Sequence, residues 1–152
     1  MKVSENISFK EATRSNTAVR LGINNSPDWP ELENMKTIAR EIFQPLREAA
    51  GGPIRINSFF RSEELNKKVG GSRRSQHIKG QAMDLDDTFE FMTNAEMFDY
   101  IKNNLSFDQL IWEFGSSLNP DWVHVSYVSK EKNRGMCLRA LVKDGKIKYE
   151  KF

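Results

Sequence analysis

Cysteine, histidine and long apolar runs are all scarce in this 152-residue chain. A single cysteine, Cys137, excludes an intrachain disulfide framework and a multi-cysteine zinc site. It is compatible with synthesis in a reducing cytosol, and a structural thiol is the expected role. No apolar run approaches the ~20 residues of a membrane helix, so no membrane insertion is expected. Met1 to Lys10 lacks the apolar segment of a signal peptide. A dominant charge is missing too: 23 Lys and Arg stand against 21 Asp and Glu, a net +2. That balance is too mild to argue for a nucleic-acid partner. Repeats and low-complexity tracts are absent.

What is present fits one folded domain over residues 1–152. Hydrophobic residues make up 38% and aromatics 11%, with ten Phe and three Trp spread along the length. Mean hydropathy is −0.62. A chain of this size buries roughly 68–70% of its unfolded surface, enough to fold without disulfides. Charge is clustered. Residues 61–80 carry six basic side chains against two acidic, whereas residues 84–99 carry six acidic and no basic ones. The tail from Lys130 carries eight basic against three acidic. These blocks read either as solvated faces or as a basic rim for an anionic polymer substrate.

Helices come first and strands later. Ser8-Phe9-Lys10-Glu11 opens a short helix, and Ser15–Leu21 forms a second, ended by Gly22. Leu32, Met35, Ile38, Ile42, Leu46 and Ala49 share one face of a helix over 31–50, kinked at Pro45 and stopped by Gly51-Gly52. Residues 53–60 alternate as a strand, and Ser62 caps a helix over 63–69. A polar loop spans 72–81. Strands follow at 82–86, 109–114 and 122–128, with a helix from the Thr93 capping box to Asn104 between the first two. Met136–Val142 and Ile147–Phe152 pair through an Asp144-Gly145 turn. Without regular alternation of helix and strand, the expected class is α+β with a mainly antiparallel sheet and the N-terminal helices packed on it.

The two histidines, His77 and His124, lie among small or polar residues. Two imidazoles and one carboxylate are a common protein set for catalytic Zn²⁺. Asp84 follows His77 by seven positions across Gly80, and His124 lies on a later strand, so one sheet can gather the three. Spacing alone is weak evidence, since two isolated histidines are more often structural or surface groups.

The ordered blocks Ser75-x-His77-x-x-Gly80-x-Ala82-x-Asp84 and Asp121-x-x-His124-x-Ser126, with Ser58-Phe59-Phe60-Arg61, resemble the zinc D-alanyl-D-alanine carboxypeptidase family. That family includes D-Ala-D-Ala dipeptidases and phage L-alanyl-D-glutamate endopeptidases. The resemblance spans Ile54 to Tyr127. It implies a Hedgehog-like α+β fold and one Zn²⁺ per chain held by His77, Asp84 and His124. It further implies Asp121 as general base, Arg61 facing the substrate, and Ser75 and Ser126 as substrate-facing or supporting groups. Phe59 replaces the glycine usual in the arginine segment, and Phe60 replaces a tyrosine, which reshapes that wall and removes a hydroxyl donor.

Asp121 lies an odd number of residues from His124, so a regular strand would point them to opposite faces. Asp121 is therefore expected just before the strand. Glu113 is the rival base, otherwise a histidine-supporting or salt-bridged carboxylate in an apolar strand. Trp112, Phe114 and Trp122 read as core or pocket wall. Asp86 and Asp87 read as solvated strand-end groups.

The implied function is a zinc peptidase hydrolysing peptidoglycan bonds that involve D-amino acids. The implied partner is a wall peptide, and the expected state is a monomer. The implied location is the cytoplasm until lysis or a membrane pore releases the protein, as for a phage-type endolysin. A catalytically silent muropeptide-binding or zinc-binding module is the alternative. Nucleic-acid binding through Arg73-Arg74 is the third reading.

Overall fold

A computed structural model describes residues 1–152. The chain begins with a small hairpin, β1 (Lys2–Ser4) and β2 (Ile7–Ser8), then α1 (Phe9–Thr13) and α2 (Asn16–Leu21). Ser8 and Ser15 cap these helices by accepting from the N–H groups of Glu11 and Ala18. Helical structure then runs from Trp29 to Ala50 in three pieces. These are α3 (Trp29–Ile38), a π-helical turn (Ala39–Phe43) and α4 (Gln44–Ala50). The wide turn is the helix's answer to Pro45. Proline has no N–H and its ring crowds the carbonyl one turn back, so the preceding turn opens. The Gln44 N–H reaches back five residues to the Ala39 carbonyl. The expected kink is thus a local widening, and the helix continues through it.

The strands are β3 (Arg55–Ser58), β4 (Ala82–Asp86), β5 (Gln109–Glu113), β6 (Trp122–Ser126), β7 (Met136–Lys143) and β8 (Lys146–Lys151). Two helices lie between them, α5 (Glu63–Lys68) and α6 (Asn94–Asn104). Both arms of the Thr93–Glu96 capping box form. The six strands make one sheet in the order β3-β4-β6-β5-β7-β8. Every neighbour pair is antiparallel except β5 with β7, which is parallel. The class is therefore α+β with a mostly antiparallel sheet. No helix is long and apolar enough to cross a membrane.

The sheet's two faces do different work, because alternate side chains point to opposite sides. Met83, Leu85, Leu110, Trp112, Val123 and Val125 turn to one side. They join a 24-residue core cluster with Met35, Ile38, Ile42, Phe43 and Leu46 of the long helix and Phe98 and Ile101 of α6. The residues between them, Asp84, Ile111, Glu113, Trp122 and His124, turn to the other side. Cross-strand register aligns Ser58, Asp84, His124, Ile111 and Leu138 in one row across five strands.

The loop expected over 72–81 contains a 3₁₀ turn, Gln76–Lys79, closed by Gly80 in the left-handed region at φ +70°. That turn packs on α3. A Cβ on Gly80 would stand 2.5 Å from the Glu31 carbonyl oxygen and 2.7 Å from Met35 Cγ. Gly22 has a similar φ of +65° but nothing within 4 Å of such a Cβ. Gly80→Ala should therefore cost about 3 kcal/mol of stability, from strain plus displaced backbone, and Gly22→Ala about 1 kcal/mol from strain alone. Denaturant unfolding of the two variants checks this, and equal losses would contradict it.

Candidate functional site

The 3₁₀ turn presents His77 to the sheet. The Ser75 hydroxyl accepts from the His77 N–H at 3.3 Å, so Ser75 caps the turn while lining the cavity beside it. His77 is buried, and its Nδ1 lies 2.7 Å from the Phe59 carbonyl oxygen. A carbonyl can only accept, so Nδ1 carries the proton and Nε2 keeps a free lone pair. That Nε2 is buried, has no hydrogen-bond partner, and stands 3.3 Å from Asp84 Oδ2.

On the adjoining strands, His124 Nδ1 lies 2.9 Å from Asp84 Oδ1. The two imidazole rings meet edge-on, centroids 5.3 Å apart at 71°. One ligand atom from each of His77, Asp84 and His124 falls within 4.8 Å of the other two. Donors about 2.0–2.1 Å from a tetrahedral ion stand about 3.3 Å apart. The two donor separations, 3.3 and 2.9 Å, lie at and just below that value, and the unpartnered Nε2 supplies the lone pair such an ion needs. The three residues fit a divalent metal.

Burial pushes the His77 pKa down and keeps the imidazole neutral, outweighing the pull of Asp84. Burial alone would raise the Asp84 pKa, but the two imidazoles beside it hold the carboxyl well below its usual range. A neutral imidazole and an ionised carboxylate are the protonation states that bind metal.

A cavity of about 820 Å³ opens on this cluster. Arg61 lines it, with Nη2 3.5 Å from Asp84 Oδ2, Nε 3.2 Å from Ser58 Oγ and Nη1 3.3 Å from Asn66 Oδ1. The guanidinium faces the cluster and makes no ion pair with Glu63 or Glu64. Gln76 and Arg134 line another stretch of wall. Both bind the buried Asp108 carboxylate, Arg134 with two nitrogens at 2.9 and 2.7 Å. Phe114 and Trp122 form an aromatic edge, ring centroids 5.5 Å apart. Trp112, by contrast, belongs to the core.

The two candidate carboxylates separate clearly. Glu113 lines the cavity, 7% exposed, and its strand register puts it on the face that carries His124. It takes part in none of the ion pairs. Asp121 lies just before β6, where it was expected, but it is exposed and absent from the cavity wall. Its backbone explains this. The Asp121 N–H donates to the Glu113 carbonyl at 2.9 Å, and its carbonyl accepts from Asn94 Nδ2 at 3.1 Å, tying it to the α6 end of the sheet.

Ser126 is also away from the cavity. It is fully buried and its hydroxyl accepts from the Gln109 N–H at 3.0 Å, joining β6 to β5. Asp86 and Asp87 are half-buried rather than solvated, and both accept from Asn94. Cys137 is half-buried and free, and burial pushes its thiol pKa up.

Among the cavity residues that escape the sequence reading are Leu138, Ile147 and Tyr149 of the terminal hairpin. Ala140 pairs with both Glu113 and Tyr149, so Tyr149 sits two strands from Glu113 on the same face. No local signal could reveal this, because it depends on β7 pairing in parallel with β5.

The sequence model of the family described as Peptidase M15 matches residues 5–126, most of the chain and all three clustered residues. The chain belongs to that family. No curated protein matches it.

Burial pushes the Glu113 carboxyl up to about 7 from its ordinary 4.5; Asp84 adds to the rise and His124 opposes it. Between those values the folded chain holds a proton that the unfolded chain has released. Stability therefore falls as pH rises through that window. In metal-free protein, Glu113→Gln should abolish this loss, a change of up to about 3 kcal/mol in the pH dependence between about pH 4 and pH 8. Urea unfolding of chelator-treated protein at both pH values measures it, and identical pH profiles for the two proteins would contradict it.

Proposed function

We propose that this Peptidase M15 member is a zinc-dependent peptidase that hydrolyses peptidoglycan peptide bonds involving D-amino acids. The observation that carries the reading is the meeting of His77 Nε2, Asp84 and His124 Nδ1 on the cavity floor, with Glu113 and Arg61 in the surrounding wall. The family membership supports a peptidase. The cleft and the metal-type cluster support one that acts through a bound ion. The domain boundaries proposed are residues 1–152, in a Hedgehog/DD-peptidase-type fold.

Bound zinc would polarise the substrate carbonyl and acidify a water molecule. Every other task falls to side chains. His77 and His124 offer ring nitrogens, and Asp84 offers a carboxylate that lowers the net charge of the site. The Phe59 carbonyl fixes the His77 tautomer, which holds the imidazole ready without a rearrangement.

Glu113 is proposed as the general base, in place of Asp121. It takes the proton from the attacking water and returns it to the leaving amine. A carboxyl whose pKa is raised toward neutrality is suited to both transfers. Asp121, exposed and anchored toward Asn94, is proposed as a structural turn residue.

Arg61 is proposed to donate to the oxygen that gains charge as the carbonyl is attacked, or to a substrate carboxylate. Its planar fork is held on three sides by Ser58, Asn66 and Asp84, so orientation costs little on binding. Phe59 and Phe60 are both buried, so their departure from the usual arginine segment acts through the shape of the wall.

The test is digestion of purified peptidoglycan, with released amines and new peptide ends identified by mass spectrometry. Glu113→Gln should lose about 10²–10⁴-fold in turnover while retaining metal, whereas Asp121→Asn should stay within a few-fold of wild type. The mass of the released peptides assigns the bond, D-Ala-D-Ala or L-Ala-D-Glu. Loss of turnover in Asp121→Asn with Glu113→Gln active would overturn the choice of base. Bound zinc without cleavage of any wall chemistry would leave a silent binding module.

A further inference from the structure

A second cavity, of about 360 Å³, opens beside the first and shares Gly71, Arg74, Ser75 and Lys79 with it. Four cations line it, Lys67, Arg73, Arg74 and Lys79, against one acid, Glu63. None of the four makes an ion pair anywhere in the molecule. The four are exposed, and they line a concavity in which Glu63 is the one acid. Such a recess focuses positive potential and attracts an anion.

The recess is rigidly joined to the cleft. Asn66 is buried, accepts from Arg61 Nη1 at 3.3 Å, and donates to the Ser72 carbonyl at 2.9 Å. Gly71 lies so close to Asn66 that an added Cβ would stand 2.1 Å from its Oδ1. The loop that carries Arg73 and Arg74 is therefore tied to the arginine that faces the metal-type cluster. The Ser75 hydroxyl accepts from His77 N–H, which leaves its own proton free to donate toward the shared wall.

We propose that this recess is a subsite for a free carboxylate of the substrate peptide, one outside the bond being cut. The inference rests on the peptidase reading above and adds a charge requirement to it. Size favours this occupant: the space suits a short acidic arm of a peptide bound in the main cleft, and a polymeric polyanion would overrun it. A carboxylate entering it gains charge-assisted hydrogen bonds from arginines that are otherwise unpaired.

The test uses the zinc-loaded full chain and two synthetic wall peptides that differ at one group. In one, the D-glutamyl residue has a free α-carboxylate; in the other, that group is a primary amide. Wild type should favour the carboxylate at least about tenfold in kcat/KM, chiefly through KM, and less at high salt. Lys67→Gln/Arg73→Gln, altered only in the recess, should reduce that preference several-fold by weakening the carboxylate peptide alone. Binding of both peptides to Glu113→Gln protein, measured by calorimetry, reads the same preference without turnover. If neither peptide is cut yet the binding preference persists, the subsite stands and the peptidase reading falls. Equal affinity for both peptides, equal losses on both in the double variant, or tight binding of a polyphosphate in preference to either would overturn the subsite.

Discussion

The site depends on keeping an ionised carboxylate inside a protein sheet. Asp84 is only 9% exposed, in a strand whose next residues on either side are fully buried. An isolated carboxylate there would be driven to protonate. It remains charged because His124 Nδ1 and Arg61 Nη2 stand 2.9 and 3.5 Å from its oxygens. Removing either leaves the charge less compensated, so the cluster holds together as a unit. The arrangement also leaves something unfinished, since His77 Nε2 is buried with a lone pair and no hydrogen-bond donor. A divalent ion would complete it.

The alternation of β4, β5 and β6 makes this affordable. Met83 and Leu85, Leu110 and Trp112, Val123 and Val125 pack against the helices, and the intervening residues are released for chemistry. A one-residue slip in any of these strands would exchange core for cleft. The polar face is thus guarded by the apolar one. Gly80 contributes from outside the sheet: its left-handed turn lets the His77 segment touch α3 closely.

Much of this was legible in the sequence because the signals were local. Thr93 and Glu96 specify a helix start by pairing with each other's backbone, and Asp144-Gly145 specifies a tight reversal with φ values of 53° and 73°. His77, Asp84 and His124 stood out as a set through the motif order, and the structure gathers them. Long-range features were not legible. The parallel pairing of β5 with β7 puts Leu138, Ile147 and Tyr149 into the cleft from a hairpin beyond the family match, with no marker near those residues. The placement of Glu113 in the cavity wall and of Asp121 outside it was equally hidden. The motif favours the residue three before the histidine, but backbone bonds from Asp121 to Glu113 and Asn94 draw that segment off the cavity. Pro45 signalled a kink, and the chain absorbs it as a π turn because the apolar stripe continues on both sides.

The most direct measurement is the zinc content and ligand set of the dialysed protein, by elemental analysis with X-ray absorption spectroscopy. The account predicts about one zinc per chain, with two imidazole nitrogens and a carboxylate oxygen at about 2.0–2.2 Å, and loss of the ion in His77→Ala. A chain that binds no stoichiometric zinc, or binds it unchanged in that variant, would contradict it.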